Sequence, residues 1–140
     1  MIEFGEKIPG QVYTPRPGAY AIVFNDAGEV GVVQNPKGYF LLGGGVEGDE
    51  TPEEALHREV REEIGMGIQI DKKIGTALQY VNLPEIPVYI CKEAHFYRCT
   101  LTQKISDTSE DTHTFHWLPM NEVLEKIYHP SHKWAIEQAL

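Results

Sequence analysis

Apolar residues along the chain fall mostly into short runs of strand length, with one longer exception. AYAIVF (19–24) is almost continuously apolar and predicts a buried strand. NDAG (25–28) has turn composition, and EVGVVQN (29–35) predicts the strand that returns. PKG (36–38) turns the chain into YFLL, a short strand that runs into Gly43, Gly44 and Gly45. Ahead of these, the chain up to Arg16 reads as irregular, with Pro15 and Pro17 holding TPRPG extended. IQIDKKIGTALQYV (68–81) and PVYICKEAHFYRCTL (87–101) alternate enough to predict two long strands, the first straight or bent. TQKISDTSED (102–111) is a polar loop, THTFHWLP (112–119) a last short strand, and the chain from Asn121 is helical with a break near Pro130.

The exception is the segment after the glycines. Thr51 stands at an N-cap position, Pro52 at the first helical position, and Glu54 three residues after Thr51 completes a capping box; Gly65 and Gly67 supply the stop. On a wheel of 100° per residue, Leu56, Val60 and Ile64 form an apolar stripe. Glu59, Glu62 and Glu63, three and four residues apart, share a neighbouring face about 100° wide. Arg58, Arg61, His57 and Glu54 take the remaining side. Strands on either side of one well-marked helix, with a second helical segment at the end, predict an α/β fold: a mixed sheet flanked by helices on both sides. With 140 residues and no linker or internal repeat, a single domain over 1–140 is expected.

Charge narrows the possible partners. The net charge of −9 argues against gripping a nucleic-acid backbone, which needs a basic patch, so no nucleic-acid partner is expected. An anionic ligand would need a cation to bridge it to such a protein. No apolar run approaches a membrane span, and the N-terminus lacks the basic and apolar regions of a signal peptide. Cys91 and Cys99 lie in one predicted strand and form neither a disulfide framework nor a metal spacing, which fits a cytoplasmic location. A homodimer is left open.

The three glutamates flank the apolar stripe rather than facing open water, an unfavourable place for three like charges unless a cation joins them. Clustered carboxylate oxygens suit a hard divalent cation such as Mg²⁺, and the glycines upstream allow a sharp turn that offers a backbone carbonyl. Arg58 can pair with Glu54 or Glu62, and Glu50 can reach it from the loop. Taken alone, a helix rich in Glu and Arg is an ordinary solvated face.

The combination is more specific. From Gly44 the chain reads G-x5-E-x7-R-E-V-x-E-E-x-G-M, with Glu50, Arg58, Glu59, Val60, Glu62, Glu63, Gly65 and Met66 in place. This resembles the Nudix box of the Nudix hydrolases, the family that includes the MutT-type proteins, and the flanking strand order resembles that family as well. The resemblance implies a Nudix-type α/β/α sandwich and hydrolysis, with Mg²⁺ or Mn²⁺, of a phosphoanhydride bond in a nucleoside diphosphate-linked or nucleoside triphosphate substrate. By position it implies Glu59 and Glu63 as the principal metal ligands, Glu62 as a further ligand or the group that activates water, and the Gly43 carbonyl as a backbone ligand. Glu62, then Glu59, are the candidate general bases. Gly44, Glu50 and Arg58 would support the site. Many members add a carboxylate from the loop before the last strand, for which Glu110 is the candidate and Asp111 the fallback.

The chain also departs from the family pattern. Leu42 replaces the proline common before the glycines, so a looser loop and an altered rate are expected. His132 falls where the branch that removes 8-oxo-dGTP has a base-reading asparagine, which counts against that specialisation. Pro84 and Tyr80 lie near, but off register from, positions associated with ADP-ribose or dinucleoside polyphosphate preference. Arg16 and Tyr39 are further candidate substrate contacts, against the plainer readings of a surface arginine and a core aromatic. His129 with His132, and His113 with His116, repeat a three-residue spacing without companion ligands for zinc. The competing function is a catalytically silent nucleotide-binding sensor or scaffold, against which all three glutamates are retained.

Overall fold

The computed structural model describes residues 1–107 and 113–140. Its elements in chain order are β1 (Ile2–Phe4), β2 (Thr14–Val23), β3 (Val30–Asn35), β4 (Gly38–Gly45), α1 (Pro52–Ile64), β5 (Met66–Leu83), β6 (Val88–Lys104), β7 (Thr114–Leu118), α2 (Met120–Lys126) and α3 (Pro130–Gln138). The strands form one mixed sheet in the order β1-β5-β6-β2-β4-β3-β7. β2 runs parallel to β6 and β1 parallel to β5, while the other pairings are antiparallel.

Alternation along the strands divides the core in two. On one face Leu56 and Val60 of α1 pack with Ala19, Ala21, Val23, Val33 and Leu42. On the other, Val123 of α2 and Ala135 and Ile136 of α3 pack with Ile22, Val32, Leu41 and Phe96. The result is the expected α/β/α sandwich. The helix signals of α1 are all used: the Thr51 hydroxyl accepts from the Glu54 amide at 3.1 Å, the Glu54 carboxylate accepts from the Thr51 amide at 2.9 Å, and Gly65 closes the helix with φ 68°.

Two features differ from the sequence expectation. The N-terminal segment is not wholly irregular: β1 adds an edge strand, and β2 begins at Thr14, so Pro15 and Pro17 lie within it. Those prolines are tolerated because β4 pairs with β2 only from Gly18 onward, leaving the first residues of β2 bonded on one side. The second feature creates the site. β4 pairs with β3 through its first half, up to Leu41, and with β2 through its second, from Leu42 to Gly45. Beyond Leu41 its β3 side is released, so the glycines form a corner where the sheet opens toward α1.

Candidate active site

At that corner the glycines give way to carboxylates. Glu63, buried at 5 % exposure, accepts the Gly43 amide at 2.8 Å, a donor that β3 no longer engages. Gly43 has φ 135°, and a Cβ there would run into the Ala19 carbonyl. A Cβ on Gly44 would lie 2.6 Å from the carboxyl carbon of Glu59, so only glycine leaves room for that carboxylate against the backbone. His113 brings its Nδ1 within 3.5 Å of the other Glu63 oxygen.

Arg58 ties this corner together. Its Nε donates to Glu50 at 2.8 Å, and its two terminal nitrogens reach Glu50, the Gly45 carbonyl and Glu59 at 2.9 Å each and Glu62 at 3.3 Å. The two bonds to Glu50 form a fork, the strongest geometry available to an arginine and a carboxylate. The hydrogen bonds between them hold the Glu50 carboxyl below its ordinary range and push the Arg58 guanidinium further up. The expected pairings with Glu50 and Glu62 are present. The expected pairing with Glu54 is not, because Glu54 is engaged in the cap. Arg58 therefore turns onto the acidic face rather than away from it, since its long side chain reaches one turn forward and back across the loop.

Two cavities meet the corner. The first, ≈ 240 Å³, is lined by Gly43 and Glu63 together with Lys37, Lys92 and His129 and the apolar Phe40, Leu41 and Tyr128. The second, ≈ 370 Å³, is bounded by Arg16, Tyr20, Gly45, Glu47, Glu59 and Lys92. Burial, reinforced by Glu63 and then Glu59, pushes the Tyr20 phenol up to about 12, so it stays protonated. Lys92 belongs to both cavities. Its Nζ lies 3.3 Å from Nε2 of His129, and in strand register it stands directly across from Arg16.

The sequence candidates thus separate. Glu59, Glu62, Glu63, Gly43, Gly44, Glu50 and Arg58 converge on one corner, and exposed Arg16 lines the second cavity. Tyr39 lines neither cavity: its ring stands edge-on to His116 at 5.8 Å and it packs on the core. His132 is corrected to a core residue. It is 2 % exposed, its Nδ1 accepts the Leu41 amide at 3.3 Å, and burial holds its imidazole well below the ordinary range. The histidines that line the first cavity are His113, beside Glu63, and His129, just before α3. Glu110 and Asp111 lie outside the described residues. Sequence reasoning missed Lys92, although the alternation Lys92, Ala94, Phe96 places it on a buried strand face.

Among the described residues no three His, Cys, Asp or Glu side chains converge at metal-ligating distance. The donor set nonetheless fits a hard divalent cation: oxygen donors only, from Glu59, Glu62 and Glu63, with Glu59 seated in a cradle that a Cβ at Gly44 would fill. The histidine nitrogen beside this set among the described residues is Nδ1 of His113, which faces Glu63.

Residues 14–138 match the NUDIX domain. A MutT-like protein of Streptomyces ambofaciens is 34% identical over 87 residues, covering 62% of this chain and 51% of that protein. An RNA pyrophosphohydrolase of Pseudomonas putida F1 is 43% identical over 53 residues, covering 36% of this chain and 33% of its own length. The chain thus spans about half or less of the curated relatives it matches. Among solved structures, the MutT protein of Methanosarcina mazei Go1 superposes with a TM-score of 0.70 at 20% identity, covering 92% of this chain and 95% of that one.

Proposed function

The chain belongs to the Nudix family, and from that premise we propose that it hydrolyses a phosphoanhydride bond in a nucleoside diphosphate-linked or nucleoside triphosphate substrate, with Mg²⁺ or Mn²⁺ held at the glycine corner. The observation that carries this is the packing of two carboxylates, Glu59 and Glu63, onto the backbone of Gly44 and Gly43 while Arg58 braces Glu59 from the loop side. Glu59, Glu62, Glu63 and the Gly43 carbonyl would hold the metal. When bound, it neutralises the diphosphate, makes a bound water more acidic and offsets charge on the leaving oxygen.

The chain's own groups do the rest. Glu63 is buried and engaged with Gly43, which suits a fixed ligand. Glu62 keeps a side-chain exposure of 44% against 16% for Glu59, so it is the carboxylate that water reaches and the one that takes the proton from the attacking water. As the water oxygen bonds to phosphorus, the bridging oxygen departs with the leaving phosphate. Phe40 and Tyr128, with ring centroids 5.1 Å apart, give the first cavity an aromatic wall suited to a base. The test is phosphate release from a broad nucleotide panel, coupled through a pyrophosphatase and run with Mg²⁺, with Mn²⁺ and with EDTA. Metal-dependent turnover is expected; no turnover on any substrate would favour a silent nucleotide binder.

A further inference from the structure

Most of this protein's charge is negative, yet the cavities bounded by Glu63 and Glu59 are also lined by cations, Lys37, Lys92 and Arg16, that form no ion pair with a carboxylate among the described residues. Lys92 is the clearest case. It lies on the strand face shared by Ala94 and Phe96, and Ala94 and Phe96 are both in the core. Among the described residues no Asp or Glu comes within ion-pair distance of its ammonium. Burial, with the charge of Lys37 added, holds the Lys92 ammonium below its ordinary range. A half-buried lysine without a counter-ion costs stability. A core built only for packing would place an apolar side chain there.

The surroundings keep this cation in place without neutralising it. His129 is held neutral, its imidazole lowered to about 4 by burial and then by Lys92 and Lys37. Its Nε2 can therefore accept from the Lys92 ammonium at 3.3 Å. His129 is fixed in turn by the start of α3, where the Ser131 amide donates to Gln79 at 3.2 Å, and Gln79 is the cross-strand neighbour of Lys92. The ammonium so held stands between the two cavities, with Glu63 bounding one and Glu59 the other. Arg16 is its partner across the β2–β6 pair, and Lys37 lines the first cavity beside it.

We propose that Lys92 is a specificity-determining contact for a substrate phosphate, and that His129 is the positioning residue that holds its ammonium at the boundary between the two cavities. The proposal rests on the pyrophosphohydrolase reading for the identity of the anion. A diphosphate lying along Gly43–Gly45 would have the carboxylates on one side and Lys92 on the other. The Lys92 ammonium then faces a negative charge that no carboxylate among the described residues supplies.

The test compares wild type with Lys92→Met, Lys92→Arg, His129→Phe and His129→Gln in two assays: calorimetric binding of inorganic pyrophosphate in Mg²⁺, and KM against kcat on whichever panel substrate turns over. Lys92→Met should weaken pyrophosphate binding and raise KM by roughly 10- to 100-fold, the range expected for a lost hydrogen bond to a charged group, with a smaller change in kcat. Its Tm should hold or rise, because a desolvated charge has been removed. Lys92→Arg should recover part of the binding. His129→Phe should raise KM several-fold, and His129→Gln, which restores an acceptor, should recover part of it. Unchanged pyrophosphate affinity in folded Lys92→Met overturns the assignment even if the enzyme is fully active. Lys92-dependent binding by a wild type that hydrolyses nothing in the panel upholds it and overturns the hydrolase reading instead. A wild type that neither binds pyrophosphate nor turns over any panel substrate overturns both.

Discussion

The acidic and basic walls of this site are built in opposite ways. The acidic wall comes from one continuous stretch, Gly43 to Glu63, in which a strand end, a loop and a capped helix follow one another. Its charges are braced by one arginine that reaches Glu50, Glu59 and Glu62. The basic wall is assembled from Arg16 on β2, Lys37 in the β3–β4 turn, Lys92 on β6 and His129 before α3, and among the described residues no carboxylate braces Lys92. Where charges arise from local periodicity, the same local chain can supply their counter-ions. Where they meet only through sheet register, the local chain supplies no such partner, as with Lys92 among the described residues.

The comparison is broken most severely from the acidic side. Glu62→Gln keeps the shape of the side chain but cannot take a proton, and should lower kcat by about 10²–10⁴-fold in the coupled phosphate assay with little change in Tm. Wild-type-like turnover would remove Glu62 as base or ligand. Next in size is Gly44→Ala, whose new methyl must displace the Glu59 carboxylate. A displacement of that order should cost roughly 10²-fold in kcat, and Gly45→Ala, where a Cβ meets nothing within 4 Å, is the control that should retain most activity.

Smaller effects sharpen the contrast. Arg58→Lys keeps the charge and loses the fork, so Glu50 and Glu59 are no longer held together. A fall in kcat of about tenfold is expected, with a destabilisation of about 1–2 kcal/mol in urea unfolding; an unchanged variant would show that the brace is dispensable. The smallest effect belongs to the basic wall. His129 titrates at about 4 in the fold against an ordinary 6.5, and His132 is lowered in the same direction. The folded protein therefore binds these protons less readily than the unfolded chain. The contribution of His129 to stability is full above pH 6.5 and is lost as pH falls toward 4, and that of His132 is lost in the same direction. Thermal melts across that window should show a falling Tm that His129→Phe makes shallower.

Legibility in the sequence follows the same division. The capping box, the helix stop and the shared face of Glu59, Glu62 and Glu63 were readable because each depends on residues a few positions apart. β1 was not readable: three residues cannot show an alternation, and its pairing of Ile2 with Ala77 is a long-range fact. The early start of β2 was hidden by Pro15 and Pro17, which local rules assign to irregular chain. His132 carried the sequence expectation of a substrate contact, but the way α3 docks turns it into the core under Leu41 and leaves His129 at the cavity.

By itself the sequence determined the strands flanking one capped helix, the carboxylate face of that helix and the glycines that admit it, since all of these rest on local backbone preference and helical period. Only the tertiary structure decided that β4 changes partner at Leu41, that Arg58 turns onto the acids, and that Lys92 meets Arg16 and His129 between two cavities. The reason is physical: a helix sets its neighbours through bonds four residues long, whereas a strand acquires its neighbours from the register of the whole sheet, which is settled by burying both faces at once.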